Sequence, residues 1–387
     1  MNEIKKKYIL KYNRMRPNIH TEPDSKIDGF IQKGSEELNI KARKRGNKFL
    51  FYFYGERIGY MSKLLSSTTS KIAFKICKNK MMTEKLLNDF NISTLESKFY
   101  NDQEFKKAHD SIMKSKHNRF VIKPTKLASG KGMELNVNKN NFFESWNRCV
   151  QYQREKSIEE IDMIVQPFID GFDIRIAITE GVFSSALWRL PAHVIGDGSS
   201  NIESLIQDKN HLRKQTLYFK RFLYDLNNEK LQRKLREQNF DLNSVPEMNS
   251  IVFLSDLGNL TAGAESIDIT PYISDELKVL ALKATAAIPG LQTAGVDILT
   301  EDFTADSGYV IEVNTNANHQ VHHLPYKGKV RKPFKDIMNI MLVKHKIKKQ
   351  MNLKPSEKKI NERLQKFNEY RSSFYLDYLA KSFFAED

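Results

Sequence analysis

Residues 295–319, GVDILTEDFTADSGYVIEVNTNANH, constrain this chain more than any other stretch. Two apolar, β-branched-rich runs, Ala294 to Leu299 and Gly308 to Val313, flank a polar turn from Glu301 to Ser307. That pattern is the short-range signature of a β-hairpin. If Ile298 faces Ile311 across the pair, Asp297 lies opposite Glu312. Period-two alternation then puts Asn314 on the same face as Glu312. Three hard oxygen ligands converge at one sheet edge, an arrangement suited to one or two Mg²⁺ ions bridging nucleotide phosphates. One acid alone would be no more than a polar sheet face. An Asp, then Glu-x-Asn, then a Thr/Asn/His loop favours the metal.

Bulk properties narrow the setting. A chain of 387 residues can build two or three domains around good-sized cores. No apolar run approaches the roughly 20 residues that span a bilayer. The start, MNEIKKKYILKYNRMRP, lacks the apolar core and cleavage site of a secretory signal. Cys77 and Cys149 stand far apart and fit neither a disulfide framework nor a zinc knuckle, so a reducing, cytoplasmic setting is expected. The net charge is +15, and about half of the excess lies in residues 329–387, with fifteen Lys and Arg against seven Asp and Glu. Such a balance favours anionic partners without choosing among them.

Along the chain, residues 1–20 read as an extended or frayed arm, and Lys26 to Arg45 as a helix ending near Gly46. NKFLFYFYGERIGYM gives two short strands. Thr69 or Ser70 can cap a helix through IAFKICKNK, and Thr83 caps or continues into EKLLNDF. Strands RFVIKP and MELNV enclose the loop TKLASGKG, and a helix follows. MIVQPFI, FDIRIAI and VFSSALWRL are three further strands. Ser200-x-x-Glu203 reads as a capping box opening IESLIQDK, ahead of a basic helical insert over 210–240. The helix SDELKVLALKATAAI returns the chain to the hairpin. Residues 330–387 read as two or three basic amphipathic helices separated near Pro355. Strands and helices in this order describe an α+β architecture with mostly antiparallel sheets.

Several side chains can carry chemistry. The loop holding Ser129-Gly130-Lys131-Gly132 has strands on both sides, so it is a flap and not a Walker loop. Its backbone N–H groups can close over phosphates, and Lys123 can aim an ammonium at them. The break at Gln166-Pro167-Phe168-Ile169-Asp170 exposes backbone groups that can read an adenine edge, with Asp170 on ribose hydroxyls. Asp173-x-Arg175 and Arg189 alternate along consecutive strands, and either bind phosphate or carboxylate bidentately or pair with acids on a solvated face. His319, His322 and His323 have no helix to fix a zinc spacing and read better as a substrate-facing loop.

These pieces, in order, resemble the ATP-grasp ligases, and within them the amide-forming domains of cyanophycin synthetase and of the glutathione synthetase fused to glutamate–cysteine ligase. The similarity runs from about residue 30 to 330 through KNKMMTEKLLNDFNI, VIKPTKLASGKGMELNV, IVQPFIDGFDIRIAI, ALWRLPAHVIGDGSSNIESLI, GNLTAGAESIDIT and GVDILT…VIEVNTNANHQVHHLPYKG. It implies two α+β lobes clasping ATP (residues 81–330, divided near 165/166), preceded by a small α/β lobe over 1–80 and followed by a basic helical extension over 331–387. It implies Lys80 and Lys123 as phosphate-binding lysines and the Gly130–Gly132 flap as phosphate lid. Gln166, Phe168 and Ile169 fall in the adenine hinge, and Asp170 becomes the ribose contact. Asp297, Glu312 and Asn314 become Mg²⁺ ligands, with two ions or Mn²⁺ in their place. Arg189, Lys131 and Asn259 are implied as catalytic positions beside the substrate carboxylate and its acyl phosphate. Gln166 stands where the family more often has Glu, and Ala264 where it has a second glycine. The Mur-ligase-like domain and the glutamate–cysteine ligase partner have no counterpart in these 387 residues.

The implied reaction is amide formation between a small carboxylic acid and an amine, such as an amino acid or peptide, at the expense of ATP. A homo-oligomer is left open. The same fold also serves phosphorylation, or an ATP site that regulates a basic binding protein. Phe367, Tyr370, Phe374 and Tyr378 fall at helical spacing and fit core packing or a dimer contact better than a nucleic-acid platform.

Overall fold

The computed structural model describes residues 3–19, 26–127 and 130–384, with side chains through residue 376. The chain begins with helix α1 (Glu3–Asn13), not an arm. Tyr8, Ile9 and Tyr12 fall on one helical face; Ile9 and Tyr12 are buried, and Tyr8 packs on Phe303 at 4.4 Å between ring centroids. Helix α2 (Ile27–Glu37) stops well short of Gly46, because Asn39 takes a left-handed conformation (φ 53°) and turns the chain. Residues after it form β1 (Lys41–Arg45), β2 (Lys48–Phe53), β3 (Glu56–Ser62) and β4 (Leu65–Ser66), a sheet in sequential order.

Ser70 caps α3 (Lys71–Lys78) by accepting from the Ala73 N–H at 2.9 Å, and Asn79 caps α4 (Lys80–Asp89). Thr83 is no cap; it lies inside α4 and donates to the Ile76 carbonyl at 2.8 Å. A second sheet follows from β5 (Lys98–Asn101), α5 (Phe105–Met113), β6 (Phe120–Pro124), β7 (Glu134–Val137), α6 (Phe142–Glu155) and β8 (Asp162–Pro167). Its strand order is β5-β8-β6-β7, and Ile122, Phe142, Trp146, Cys149 and Met163 fill the space beneath α5 and α6.

Five antiparallel strands make the largest sheet. It is built from β9 (Phe172–Thr179) and β10 (Val182–Leu190), then, after an excursion, the last three strands. The excursion comprises β11 (His193–Ile195), α7 (Ile202–Lys214), α8 (Glu229–Arg236) and β12 (Ile251–Phe253), with β11 and β12 paired. Asn201, not Ser200, caps α7, accepting from the Ser204 N–H at 2.9 Å; Ser200 is drawn off by Asp197, to which its hydroxyl donates at 2.6 Å. Then come β13 (Glu265–Asp268), α9 (Asp275–Ala287), β14 (Ala294–Thr300) and β15 (Tyr309–Asn314), giving the order β13-β10-β9-β14-β15. Ile174, Ile176 and Ile178 of β9 are fully buried under α9, each contributing about 2 kcal/mol of hydrophobic stabilisation.

The chain closes with α10 (Gln320–His323), α11 (Pro333–Lys348) and α12 (Pro355–Phe384). Phe334, Ile337, Met338 and Met341 of α11 share one core with Ile31, Phe49, Phe51 and Met61 of the amino-terminal sheet. The basic segment therefore completes the first sheet, and Lys332 and Lys335 both bind Glu37 there. On α12, Phe367 is buried and Phe374 lies 5.0 Å from Phe90, so these positions of the aromatic stripe pack inward; the Tyr378 side chain lies outside the described residues. No described helix is long and apolar enough to cross a membrane.

Candidate active site

A cavity of about 510 Å³ runs between the β5-β8-β6-β7 sheet and the large sheet. Its lining includes Lys80, Lys123, Gly130, Lys131, Gln166, Phe168, Ile169, Asp170, Arg189, Asn259, Asp297, Glu312 and Asn314. The residues expected to hold ATP, metal and substrate carboxylate thus meet in one cleft, apart from Gly132, which sits behind it. A side chain at Gly132 would run into Tyr152 and Pro124, and its φ of +69° favours glycine at the root of the flap. Ser129 lies outside the described residues.

The hairpin places the acids as the spacing requires. Asp297 pairs directly with Glu312, but Ile298 faces Val310 and not Ile311, because a bulge follows Asp297. The bulge leaves Ile311 as the extra residue and shifts the register by one toward the turn, while the acid pair stays opposed. Asn314 pairs with Gly295. Its side-chain nitrogen is buried without a hydrogen-bond partner among the described residues, so its amide can turn its oxygen inward at little cost. Glu312 is the more open acid, with Lys80 at 3.7 Å.

Asp297 is held differently. Arg175, beside it on β9, donates from Nε to Oδ1 and from Nη2 to Oδ2 at 2.9 Å, and Arg189 of β10 reaches Oδ2 at 3.0 Å. Burial alone would push this carboxyl up; the guanidinium groups of Arg175 and Arg189 outweigh it and hold the carboxyl below its usual range. Arg189 also pairs with Asp173, its Nε donating at 3.0 Å. The strand arginines line the cleft and are paired with acids there, in a buried cluster and not on a solvated face. Gly258 makes the packing possible, since a Cβ there would sit 2.4 Å from Asp173 Oδ2.

Two ammonium groups approach the hairpin from the opposite lobe. Lys123 extends from β6, and desolvation pushes its ammonium down to about 8, against the pull of Glu312. Lys80 opens α4, with the Thr125 and Leu127 carbonyls within 3.5 Å of its Nζ. Beyond the end of β8, the Phe168 N–H donates to the Arg119 carbonyl at 2.9 Å, and the Arg119 guanidinium lies 4.0 Å from the Phe168 ring. One of the backbone groups expected to be free at the hinge is thus already used. Asp170 pairs with Lys5 of α1 at 3.2 Å, a contact hidden from sequence because α1 itself was not evident. Asn259 caps a short turn, accepting from the Thr261 N–H at 3.2 Å, and so shapes the loop as well as lining the cleft.

At the far end, Tyr218, Phe222 and Asn318 join the lining, and Asn318 donates to the Tyr218 hydroxyl at 3.0 Å. Tyr218 and Phe222 come from the segment between α7 and α8, which only its basic charge marked in the sequence. The histidines do not face the cleft as a loop. His319, His322 and His323 are buried around α10; His322 bonds Ser185 at 2.9 Å and His323 stacks on Phe30 at 4.2 Å. Burial pushes His319 and His323 down to about 3. No group of three or more His, Cys, Asp or Glu suited to a metal occurs among the described residues. The hairpin's oxygen donors, two acids and one amide, form a different set.

Residues 257–328 match a family described as the RimK-like ATP-grasp domain. The glutathione biosynthesis bifunctional protein of Enterococcus faecalis is 29% identical over 321 residues, 80% of this chain and 41% of that protein. Its counterpart in Clostridium perfringens is 28% identical over 314 residues, 79% of this chain and 39% of that protein. The chain therefore spans about two-fifths of the length of these curated relatives. The crystal structure of a bifunctional glutathione synthetase from Pasteurella multocida superposes with a TM-score of 0.58 at 23% identity, covering 82% of this chain and 43% of that one. The chain has the ATP-grasp fold and resembles the ATP-grasp ligases, the bifunctional glutathione synthetases among them.

Proposed function

We propose that this chain is an ATP-dependent carboxylate–amine ligase, which activates an acid as its acyl phosphate and passes the acyl group to an amine with release of ADP and phosphate. The observation that carries this reading is the meeting, in one cleft, of Lys80 and Lys123 from one side with Asp297, Glu312, Asn314 and Arg189 from the other. A carboxylate and a triphosphate repel each other, and bringing them in line takes fixed positive charge where negative charge develops. Lys80 and Lys123 bind phosphate oxygens. The Gly130–Gly132 flap, with Lys131, closes over them and keeps water from the acyl phosphate. Gln166, Phe168 and Ile169 border the adenine, and Asp170, sharing its charge with Lys5, takes the ribose hydroxyls.

The hairpin donors fit Mg²⁺, which favours hard oxygen ligands. Glu312, Asn314 and Asp297 would hold the ion, Glu312 in place of its long pair with Lys80 and Asp297 in place of its arginines. When bound, one or two Mg²⁺ ions, or Mn²⁺ on the same donors, neutralise phosphate charge. Arg189, released from Asp297, is then placed to hold the substrate carboxylate, and Asn259 shapes the loop beside it. Amide transfer through an acyl phosphate needs no covalent enzyme nucleophile. The relatives' names point to small amino acid or peptide substrates.

Incubation of the purified protein with ATP, Mg²⁺ and pools of small acids and amines tests this. ADP and phosphate should appear only when an acid and an amine are both present. ADP formed with a phosphorylated product and no amide would instead support a kinase, and AMP with pyrophosphate would overturn the acyl-phosphate route.

A further inference from the structure

A second cavity, of about 530 Å³, matches the cleft in size and shares none of its lining residues. It lies where the segment after α1 passes over β11 and α7. Arg14 and Arg16 stand at its mouth, Ile195 and Leu205 form an apolar wall, and Lys209 and Lys327 reach it from within. The acid in the lining, Asp208, is solvent exposed.

The charges behind this cavity do not balance. Lys209, Arg213 and Lys327 are all buried or nearly so, against one buried carboxylate, Glu265. His193, beside them, adds no negative charge, and burial pushes it down to about 3, so it is neutral. Lys209 is satisfied, since its Nζ lies 2.8 Å from Glu265 Oε1 and donates to the His193 carbonyl. Arg213 donates to the Phe222 carbonyl and the Tyr224 hydroxyl, each at 2.9 Å, yet its Nη2 is buried without a partner. Lys327 is the telling residue. Its side chain is 4% exposed; its ammonium lies over the Tyr326 ring at 5.6 Å, and the carboxylate oxygen it faces, Glu265 Oε2, is 3.9 Å away, beyond hydrogen-bond reach. A buried ammonium without a hydrogen-bond acceptor is costly to keep charged, and a bound anion removes that cost.

We infer that this cavity is a second ligand site, taking a small anion, a phosphate or carboxylate on a compact apolar body, with its charged end on Lys327. The apolar part lies against Ile195 and Leu205, and Arg14 and Arg16 draw the anion in. The site backs onto the cleft: the Tyr326 and Lys327 N–H groups both donate to the Ser266 carbonyl, at 2.8 and 3.2 Å, and Ser266 also lines the cleft. None of this depends on the ligase assignment.

Calorimetric titration of the full chain with inorganic phosphate, and separately with butyrate, tests the site without any turnover. At least one should bind, at least ten-fold more weakly to Lys327→Met and to Leu205→Trp, with binding restored by Lys327→Arg. Phosphate alone would assign a phosphorylated ligand, and butyrate alone a carboxylate. Lys123→Gln, which strips an ammonium from the cleft, should leave the affinity within two-fold. If Lys327→Met does not fold, Leu205→Trp, at a half-buried wall position, decides. The inference is overturned if neither anion binds the native chain, or if binding survives both Lys327→Met and Leu205→Trp; loss with Lys123→Gln would then assign it to the cleft.

Discussion

The cleft and the second cavity are both lined by buried or half-buried charge, but the two clusters are built on opposite terms. In the cleft, Asp173 and Asp297 are matched by Arg175 and Arg189, and Glu312 by Lys80. These acids and arginines are paired before any ligand arrives, so a ligand that engages them must exchange partners rather than supply missing ones. Behind the second cavity Lys209 and Lys327 share Glu265, Arg213 rests on neutral acceptors, and Lys327 stays beyond hydrogen-bond reach of the carboxylate. Matched charge suits a site that handles several highly charged reactants in turn. Surplus buried charge suits a site that holds one ion of the opposite sign.

The largest effect should come from the open acid of the matched cluster. Glu312→Gln should lower kcat/KM for ATP-dependent turnover by about 10²–10³-fold, the scale set by losing one electrostatic group in an active site. Circular dichroism should show the fold intact, since Glu312 is at the surface of the cleft and its one ion pair is long. Arg175→Met comes next, with a loss of about 3 kcal/mol in urea unfolding, because it strips a buried carboxylate of its best partner. Lys327→Met, the same kind of change in the unmatched cluster, should leave stability unchanged or slightly higher. Equal losses at both positions would erase the distinction between the clusters.

A smaller effect is set by pH. The ammonium of Lys123 is pushed down to about 8 by desolvation, and the charged form is the one that binds phosphate. Deprotonation above that value should weaken nucleotide binding by up to about ten-fold per pH unit, and a bound triphosphate should shift the midpoint upward by favouring the ammonium. Fluorescence titration with a nucleotide analogue from pH 7 to 9.5 checks the sign. An affinity that strengthens with pH would remove Lys123 from the phosphate site.

The cleft was legible in the sequence because its parts are local. Asp297, Glu312 and Asn314 are fixed by the alternation of one hairpin, and the flap and hinge are each set by a few adjacent residues. Even there a bulge moved Ile298 off its anticipated partner while leaving the acid pair in place. Contacts made across long separations were hidden. Helix α1 was missed because a run of three lysines obscures the Tyr8, Ile9, Tyr12 stripe, and with it went the Lys5–Asp170 pair. Helix α11 reads as part of a basic extension, since nothing local shows that Phe334 and Met341 meet Phe51 and Met61 of a sheet near the other end of the chain. The second cavity needs α1, α7 and the turn at Lys327 together, and no motif announces it.

In an acyl-phosphate mechanism the γ-phosphate of ATP passes first to the acid. Once an acid that supports turnover is found, it should be labelled with ¹⁸O in its carboxylate and the phosphate product examined by mass spectrometry. Attack of the carboxylate on ATP, followed by displacement by the amine, must carry one labelled oxygen from the acid into inorganic phosphate. Phosphate free of label, or label recovered in AMP, would contradict the acyl-phosphate mechanism proposed for this cleft.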